Sequence, residues 1–304
     1  MKTQGYKGLK TILKVAVSAA LLYLVFSKLG VSEVWETLKQ VSIPHLLFAT
    51  LLVLFSKWIA HLRLLHYLKS ITLIVPLLTH WKLYLQGMFY NLFLPGGIGG
   101  DAYKAYILSR NYPVKLKRII SVLLLDRLSG LVALTLLTLV LSSIYFAQNR
   151  GLGAGQLLLI VPYLKYAALL LPLPLFGFYL MKRLWFRYAL PAYSTTLYAS
   201  LALQAIQVGA CYLLLLGLGY MDSAWPFLLL FTLSSILSVL PISLGGIGLR
   251  EITFLYGAQW LTIDSEIAVA LSVLFFISNA LVSLLGIFYH LNPVLKDNSF
   301  KADT

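Results

Sequence analysis

The residues of this chain best suited to chemistry are charged side chains that interrupt apolar segments. Asp101 directly follows the glycine-rich stretch LPGGIGG and begins a segment of helical character. A carboxylate at this position can cap the helix, bind a cationic group or carry a proton. Lys104 follows one helical turn later, so its side chain is spaced to form an ion pair with Asp101.

Two further pairs of adjacent charges lie in apolar surroundings. Asp126 and Arg127 interrupt the run LLLDRLSG, and Arg250 and Glu251 follow a second glycine-rich stretch. Adjacent helical residues point about 100° apart, so each of these charges is expected to find a partner elsewhere. Charges in a membrane segment are costly and usually face a cavity or a partner. We therefore expect a cavity in which Arg127 holds a phosphate, ahead of a purely structural bridge such as Arg127 to Asp101.

These charges and one amide make up the predicted substrate-binding set. Asn91 lies within an apolar run and is also suited to a packing contact between helices. The full set is Asp101, Lys104, Arg127, Arg250, Glu251, Asp126 and Asn91.

No metal, nucleotide or cofactor site is predicted, and we expect no enzyme activity. The chain contains neither an H-E-x-x-H zinc motif nor a G-x-x-x-x-G-K-[ST] phosphate loop. His61 and His66 have no carboxylate beside them, which favours a solvated helix end over a metal site. GIGGD comes near the G-x-G-D motif of intramembrane aspartyl proteases, but it carries one glycine too many and the chain has no Tyr-Asp pair.

Composition indicates a polytopic membrane protein. The hydrophobic fraction is 60% and the charged fraction 11%, with a mean hydropathy of +0.86, which is more apolar surface than a soluble fold of 304 residues can bury. The net charge of +14 follows from the enrichment of basic residues on the cytoplasmic side of membrane proteins, so nucleic acid is not an expected partner. Cys211 is the single cysteine, which excludes an internal disulfide.

The positions of the apolar runs predict an all-α fold. Six runs are long enough to span a membrane, at about 11–29, 43–60, 119–147, 157–180, 199–218 and 267–290. Two more regions, 71–110 and 225–258, are broken by proline and glycine. We expect six transmembrane helices and two re-entrant hairpins, with eight transmembrane helices as the alternative. The predicted hinge residues are Pro95, Gly96, Gly97, Gly99, Gly100, Pro241, Gly245, Gly246 and Gly248.

The basic residues orient these segments. The dense basic cluster from Lys104 to Arg118 stays cytoplasmic only if the first broken region dips into the membrane and returns. Both termini are then cytoplasmic, as are Arg63 and Lys69, and the membrane is expected to be a bacterial inner membrane. Five basic residues fall at membrane depth: Lys57, Lys82, Arg127, Lys165 and Arg250.

The two broken regions indicate an internal repeat. LPGGIGGDAYKAY and LPISLGGIGLREITF share a Leu-Pro, a Gly-Gly-Ile-Gly and following charges, and Gly96 and Gly245 lie about half the chain apart. We expect a first repeat over 1–150 with its break at 95–100, an inverted second repeat over 151–290 with its break at 241–248, and a cytoplasmic tail over 291–304. Inverted repeats with broken helices are typical of transporters. The glycines would turn the chain inside the membrane and direct backbone N–H groups toward a polar cavity, where an anion such as phosphate can bind.

Three motifs resemble those of the lysylphosphatidylglycerol synthase transmembrane-domain family: N-x-x-x-P-G-G-I-G-G-D-A-Y-K-A, LLLDRLSGLVAL and LPISLGGIGLRE. The resemblance implies a lipid flippase-like membrane protein, expected here as a stand-alone member without the soluble aminoacyl-transferase domain. It also implies that Asp101, Arg127, Arg250 and Glu251 are the characteristic polar positions. Two departures from the family are Lys104, where arginine is frequent, and Ser278-Asn279, where an arginine is common.

The expected function is movement of a lipid head group across the inner membrane, with membrane lipids as the partners. Arg127, Lys104 and Arg250 would hold a phosphate, while Asp101 and Glu251 would bind an amine or cycle protons. Two alternatives stay open: a membrane-bound lipid or glycolipid transferase, and an accessory subunit of a lipid-synthesising or lipid-modifying enzyme. The identity of the lipid is open.

Overall fold

The computed structural model describes residues 23, 31–93, 99–148, 172–239 and 248–291. All regular structure within these ranges is helical, which confirms the predicted all-α membrane class. The helices in chain order are α1 (Val31–Lys39), α2 (Ile43–Lys69), α3 (Leu77–Phe93), α4 (Gly99–Asn111), α5 (Leu116–Gln148), α6 (Pro172–Trp185), α7 (Tyr193–Gly217), α8 (Trp225–Leu237), α9 (Leu249–Leu261), α10 (Ser265–Leu284) and α11 (Ile287–Leu291). A short 3₁₀ helix, Arg187–Ala192, leads into α7.

Among the described residues, four helical stretches are long and apolar enough to cross a membrane: Ile43–Lys69, Leu116–Tyr145, Arg187–Gly217 and Ser265–Tyr289. At about 1.5 Å per residue, each exceeds the roughly 30 Å of a bilayer core. They correspond to four of the six predicted spans. Of the predicted span at 11–29 only Tyr23 is among the described residues, and only the C-terminal part of 157–180 lies within them.

Two helix pairs, α3–α4 and α8–α9, occupy the regions that the sequence predicts to be broken. The arms of each pair pack against each other, and α4, α8 and α9 have 13 residues each. Such an arm is only about 20 Å long, which is shorter than a bilayer core. These dimensions suit re-entrant hairpins, and the number of full crossings stays a prediction. Pro95, Gly96, Gly97, Pro241, Gly245 and Gly246 lie outside the described residues.

The packing partners of the two halves correspond to each other. Helices α2 and α7 pack together; α5 packs against α8 and α7, just as α10 packs against α3 and α2. Helices α2, α3, α4 and α5 of the first half thus correspond to α7, α8, α9 and α10 of the second half. When each helix is replaced by its counterpart, every one of these helix pairs becomes another pair that is also in contact. An internal repeat produces such a pattern, although the repeats at 1–150 and 151–290 and their inversion remain predictions.

One face of α2 presents large apolar side chains outward. Phe48, Leu51 and Phe55 follow one another at helical spacing, and each is more than half exposed. The opposite side of α2 carries Val53, Leu64 and other residues that are buried against neighbouring helices. In a membrane protein, such an exposed apolar face is the surface that contacts lipid.

The arms of the first hairpin are joined by a contact that requires glycine. A Cβ atom added at Gly100 would overlap the carbonyl oxygen of Gly87 and lie 2.9 Å from Cγ of Asn91. The backbone N–H of Gly100 donates to Oδ1 of Asn91 at 2.7 Å. Asn91 therefore caps the N-terminus of α4 from the other arm, which realises the packing role expected of it.

We predict that Gly100→Ala destabilises the protein by about 1–3 kcal/mol, because the added methyl group must push the two arms apart. Gly177→Ala is the matched control, since a Cβ at that helical position meets nothing within 4 Å. Unfolding of the two variants in mixed detergent micelles measures the difference. Equal stability of Gly100→Ala and wild type would contradict the close packing of α3 and α4.

Candidate functional site

Asp101 lies in the first turn of α4 and binds two cationic side chains. Its Oδ1 accepts from Nζ of Lys104 at 2.7 Å, as the spacing of three residues predicts. Its Oδ2 accepts from Nε of Arg127 on α5. The carboxylate thus connects the broken hairpin to the following helix and is itself largely buried, with 14% of its side chain exposed.

The two cations around Asp101 differ in accessibility. Lys104 is buried, and its Nζ lies 4.8 Å from the centre of the Tyr84 ring. Arg127 keeps 34% of its side chain exposed. A ligand can therefore reach Arg127 more easily than Lys104, and the guanidinium can bind a phosphate through two parallel hydrogen bonds.

Asp126 belongs to a separate polar junction. Its Oδ1 accepts from Nε of Arg63 on α2 at 2.7 Å, and Nη1 of Arg63 donates to Oγ of Ser200 on α7 at 2.8 Å. A Cβ atom at Gly130 would lie 3.3 Å from Nη1 of Arg63, so the guanidinium fills the space beside α5. This junction ties α2, α5 and α7 together.

Arg63 was not among the predicted site residues. The charge pattern predicts that Arg63 lies on the cytoplasmic side, and the structure shows that its side chain is buried, with 7% exposed. The sequence does indicate that such a residue exists, because Asp126 lies in an apolar run and requires a cation from another helix. The sequence alone does not indicate which basic residue, because 63 positions separate the two partners.

In the second hairpin, Glu251 stabilises the start of α9. Its Oε2 accepts from the backbone N–H of Gly248 at 2.7 Å, and its Oε1 accepts from Oγ of Ser272 on α10 at 3.1 Å. Gly248 has a φ of +83°, a conformation that favours glycine, and its predicted hinge role stays a prediction. Glu251 is 4% exposed, so its role in this state is to cap the helix.

Arg250 points to a different set of neighbours. Its guanidinium lies 5.0 Å from the ring centre of Phe275 on α10 and 5.8 Å from that of Phe231 on α8. Flat aromatic faces at such distances attract a cation and orient its planar group. Arg250 is only partly buried.

The predicted site residues are therefore not one cluster of direct contacts. Asp101, Lys104 and Arg127 contact one another, whereas Asp126 contacts Arg63. The remaining pair, Arg250 and Glu251, contacts residues of α8, α9 and α10 instead.

An apolar groove runs between the arms of the second hairpin. Its volume is about 530 Å³, and its lining comes from α8 and α9. The residues that line it include Leu230, Leu233, Ile236, Leu249, Ile252 and Trp260. The shape and composition of the groove suit a hydrocarbon chain.

His61 differs from the expected solvated position. It is fully buried in α2 and stacks on His80 of α3, with 4.9 Å between ring centres, inside a cluster that also contains Trp58 and Trp81. The expectation of a solvated helix end was wrong for His61, because α3 covers that face of α2. Among the described residues, no group of three or more histidine, cysteine, aspartate or glutamate side chains is placed to hold a metal ion.

Comparison with protein families identifies the chain. The model of the lysylphosphatidylglycerol synthase TM region matches residues 11–286. The protein belongs to this family. The match confirms the resemblance carried by the three motifs, and it places the protein among multi-pass membrane proteins involved in lipid head-group handling or transfer. A comparison with curated proteins finds no significant match.

The structure shows the contacts of the residues at the two positions that depart from the expected family motifs. Lys104 reaches Asp101 through a single ammonium group, so the ion pair does not require the fork of an arginine. Ser278 and Asn279 donate to carbonyl oxygens of their own helix, those of Leu274 and Phe275. Neither side chain replaces the charge that an arginine would bring to α10.

We predict that Asp126→Ala destabilises the protein by about 3–5 kcal/mol, because it leaves the buried Arg63 without its carboxylate. The double variant Arg63→Met/Asp126→Leu should recover most of this loss, since no unpaired charge remains. Unfolding in mixed micelles measures both variants.

The matched control is Asp222→Ala, which removes an exposed carboxylate and should change the free energy of unfolding by less than about 0.5 kcal/mol. If Asp126→Ala were as stable as this control, the Arg63–Asp126 junction would not stabilise the fold.

Proposed function

We propose that this protein is a flippase-like transporter that moves a phosphate-bearing lipid head group across the inner membrane while the acyl chains stay in lipid. The observation that carries the proposal is the ion-paired network of Asp101, Lys104 and Arg127 at the start of a helix in a broken hairpin. Polar groups at such a depth are costly and usually serve a substrate pathway.

The ion pairs among Asp101, Lys104 and Arg127 can be replaced by ion pairs with a substrate. Arg127 shares the Asp101 carboxylate with Lys104 and is the more exposed of the two cations. An incoming phosphate competes with Asp101 for the Arg127 guanidinium, and its oxygens match the guanidinium fork. The Asp101 carboxylate that is released can then pair with an amine or accept a proton.

The apolar groove between α8 and α9 supplies a matching surface for the rest of the molecule. It is lined by leucine, isoleucine and aromatic side chains, and a head group in the protein leaves its acyl chains next to such surfaces. The groove therefore supports a lipid rather than a small soluble anion as the substrate.

The proposed orientation has both termini on the cytoplasmic side of the inner membrane. Arg110 lies in the last turn of α4, Lys115 directly precedes α5, and Lys117 and Arg118 lie in the first turn of α5; all four are exposed. Clustered basic residues of this kind are typical of cytoplasmic loops. A re-entrant first hairpin keeps them on the same side as the N-terminus.

The test is a flipping assay in liposomes that contain the purified full-length protein. Fluorescent lipids with anionic, aminoacylated or polyprenyl-phosphate head groups are followed by a membrane-impermeant quencher. Wild type should move at least one of these lipids, while Asp101→Asn and Arg127→Ala should slow the movement by about tenfold or more, because each breaks the network.

The matched control is Asp222→Asn, which neutralises an exposed carboxylate and should flip lipid at the wild-type rate. Wild-type rates in folded Asp101→Asn and Arg127→Ala would show that the network is not the transport site. If wild type moved none of the lipids but co-purified with a lipid-synthesising enzyme, the protein would be an accessory subunit and not a transporter.

A further inference from the structure

Four exposed cations lie where the start of α5 meets the end of α6. Lys117 and Arg118 belong to the first turn of α5. Arg183 belongs to the last turn of α6, and Arg187 is the first residue of the 3₁₀ helix that follows. All four side chains are exposed. These four residues are called the basic corner below.

A side-chain contact joins the two elements at this corner. Oγ of Ser121 on α5 and the hydroxyl oxygen of Tyr188 on the 3₁₀ helix lie 2.7 Å apart, which is a hydrogen-bonding distance. Buried residues of α5, α6 and the 3₁₀ helix also belong to one apolar cluster. Arg118 precedes Ser121 by one helical turn, and Arg187 directly precedes Tyr188. Two separate elements therefore contribute cations to one packed junction.

Carboxylates are scarce in this part of the chain. Between positions 102 and 221 the sequence contains one aspartate, Asp126, and no glutamate. Asp126 is held by its ion pair with Arg63. Among the described residues, no cation of the basic corner forms an ion pair. Exposed cations that are gathered without counter-charges produce a positive potential, which attracts anions.

An exposed apolar stripe extends from the basic corner along each helix. Its side chains are four residues apart, and each is 38–62% exposed: Leu116, Ile120 and Leu124 on α5, and Leu184, Leu180 and Phe176 on α6. Each stripe rises by about 12 Å, close to the roughly 15 Å of hydrocarbon in one leaflet. Exposed apolar helix faces of a membrane protein contact acyl chains. The basic corner therefore lies at the level at which head groups join these chains.

We propose that the basic corner binds the head group of an anionic phospholipid whose acyl chains lie along the two apolar stripes. The guanidinium groups of Arg118 and Arg187 bind phosphate oxygens from α5 and from the 3₁₀ helix, and the contact of Ser121 with Tyr188 holds these two elements together. In the proposed orientation, the lipid belongs to the cytoplasmic leaflet. The site contains no residue of the Asp101 network, so it does not depend on transport.

The apolar stripes favour a phospholipid over a free anion or an acidic protein. A soluble anion would use the cations alone, whereas a phospholipid uses the cations and the stripes together. Each cation near an anionic lipid head group strengthens binding by about fivefold. Arginine and lysine side chains at the ends of membrane helices also reach the head-group level while their stems stay next to apolar surface.

The test is equilibrium binding to the purified full-length protein in a non-ionic detergent, measured by microscale thermophoresis. The probes are dioleoyl phosphatidic acid, dihexanoyl phosphatidic acid, dioleoyl phosphatidylcholine, inorganic phosphate and polyglutamate. Dioleoyl phosphatidic acid should bind most tightly, because it alone combines a net negative head group with long acyl chains. Its affinity should fall as the salt concentration rises, since the cations are exposed.

Arginine substitutions locate the binding site. Arg118→Gln and Arg187→Gln should each weaken the affinity for dioleoyl phosphatidic acid about fivefold, and the double variant should weaken it further. The same losses should occur in an Arg127→Ala background, which excludes binding at the Asp101 network. Lys39→Gln is the matched control, because it removes an exposed lysine on α1 and should bind as wild type does.

Unfolding temperatures separate a binding role from a structural one. Because Arg118 and Arg187 are exposed and form no ion pair among the described residues, the double variant should unfold at the wild-type temperature in the absence of lipid. Dioleoyl phosphatidic acid should then stabilise wild type more than the double variant. A lower unfolding temperature of the double variant without lipid would indicate a structural role and overturn the inference.

Three binding results would also overturn it. Unchanged affinity in the double variant would show that the basic corner is not the site. Equal binding of dioleoyl phosphatidylcholine would show that the negative charge is not recognised. Inorganic phosphate, dihexanoyl phosphatidic acid or polyglutamate binding as tightly as dioleoyl phosphatidic acid would show that the apolar stripes are not used, and in the last case that the surface suits an acidic protein.

Discussion

Hydrocarbon cannot solvate a charge or a backbone amide, and the polar architecture of this protein follows from that constraint. Asp101 and Asp126 each reach a cation on another helix, and Glu251 accepts from the backbone and from a serine. These contacts connect α4 with α5, α2 with α5 and α9 with α10. The residues that are most costly to place in a membrane thus become the connections between its helices.

The same constraint shapes the two hairpins. The free backbone N–H groups at the start of a membrane-embedded helix must be satisfied within the protein. At the start of α4, the side chain of Asn91 accepts a hydrogen bond from the backbone N–H of Gly100. At the start of α9, the carboxylate of Glu251 accepts one from the backbone N–H of Gly248. The first hairpin takes its cap from the neighbouring arm, whereas the second takes it from its own helix. Both solutions also hold a charged residue, Asp101 or Arg250, near the helix start.

The sequence predicted contacts between residues that are close in the chain, but it predicted only some of the contacts between distant residues. The spacing of Asp101 and Lys104 predicted their ion pair. The bridge between Arg127 and Asp101 was expected only as the less favoured alternative to a phosphate held by Arg127. The pairing of Asp126 with Arg63 was not predictable, since it depends on how α2 packs against α5. His61 was misplaced for the same reason: burial by α3 is a property of the packed helices and not of the local sequence.

The two hairpins are fastened to their following helices by different kinds of interaction. The first is joined to α5 through full charges, Asp101 with Arg127, while the second is joined to α10 through a serine hydroxyl and the face of Phe275. Loss of either partner in the first attachment leaves a full charge without its counter-charge, whereas loss of Ser272 or Phe275 in the second removes a neutral partner. The two attachments therefore differ in how well they tolerate substitution, although the helices that they join correspond to each other.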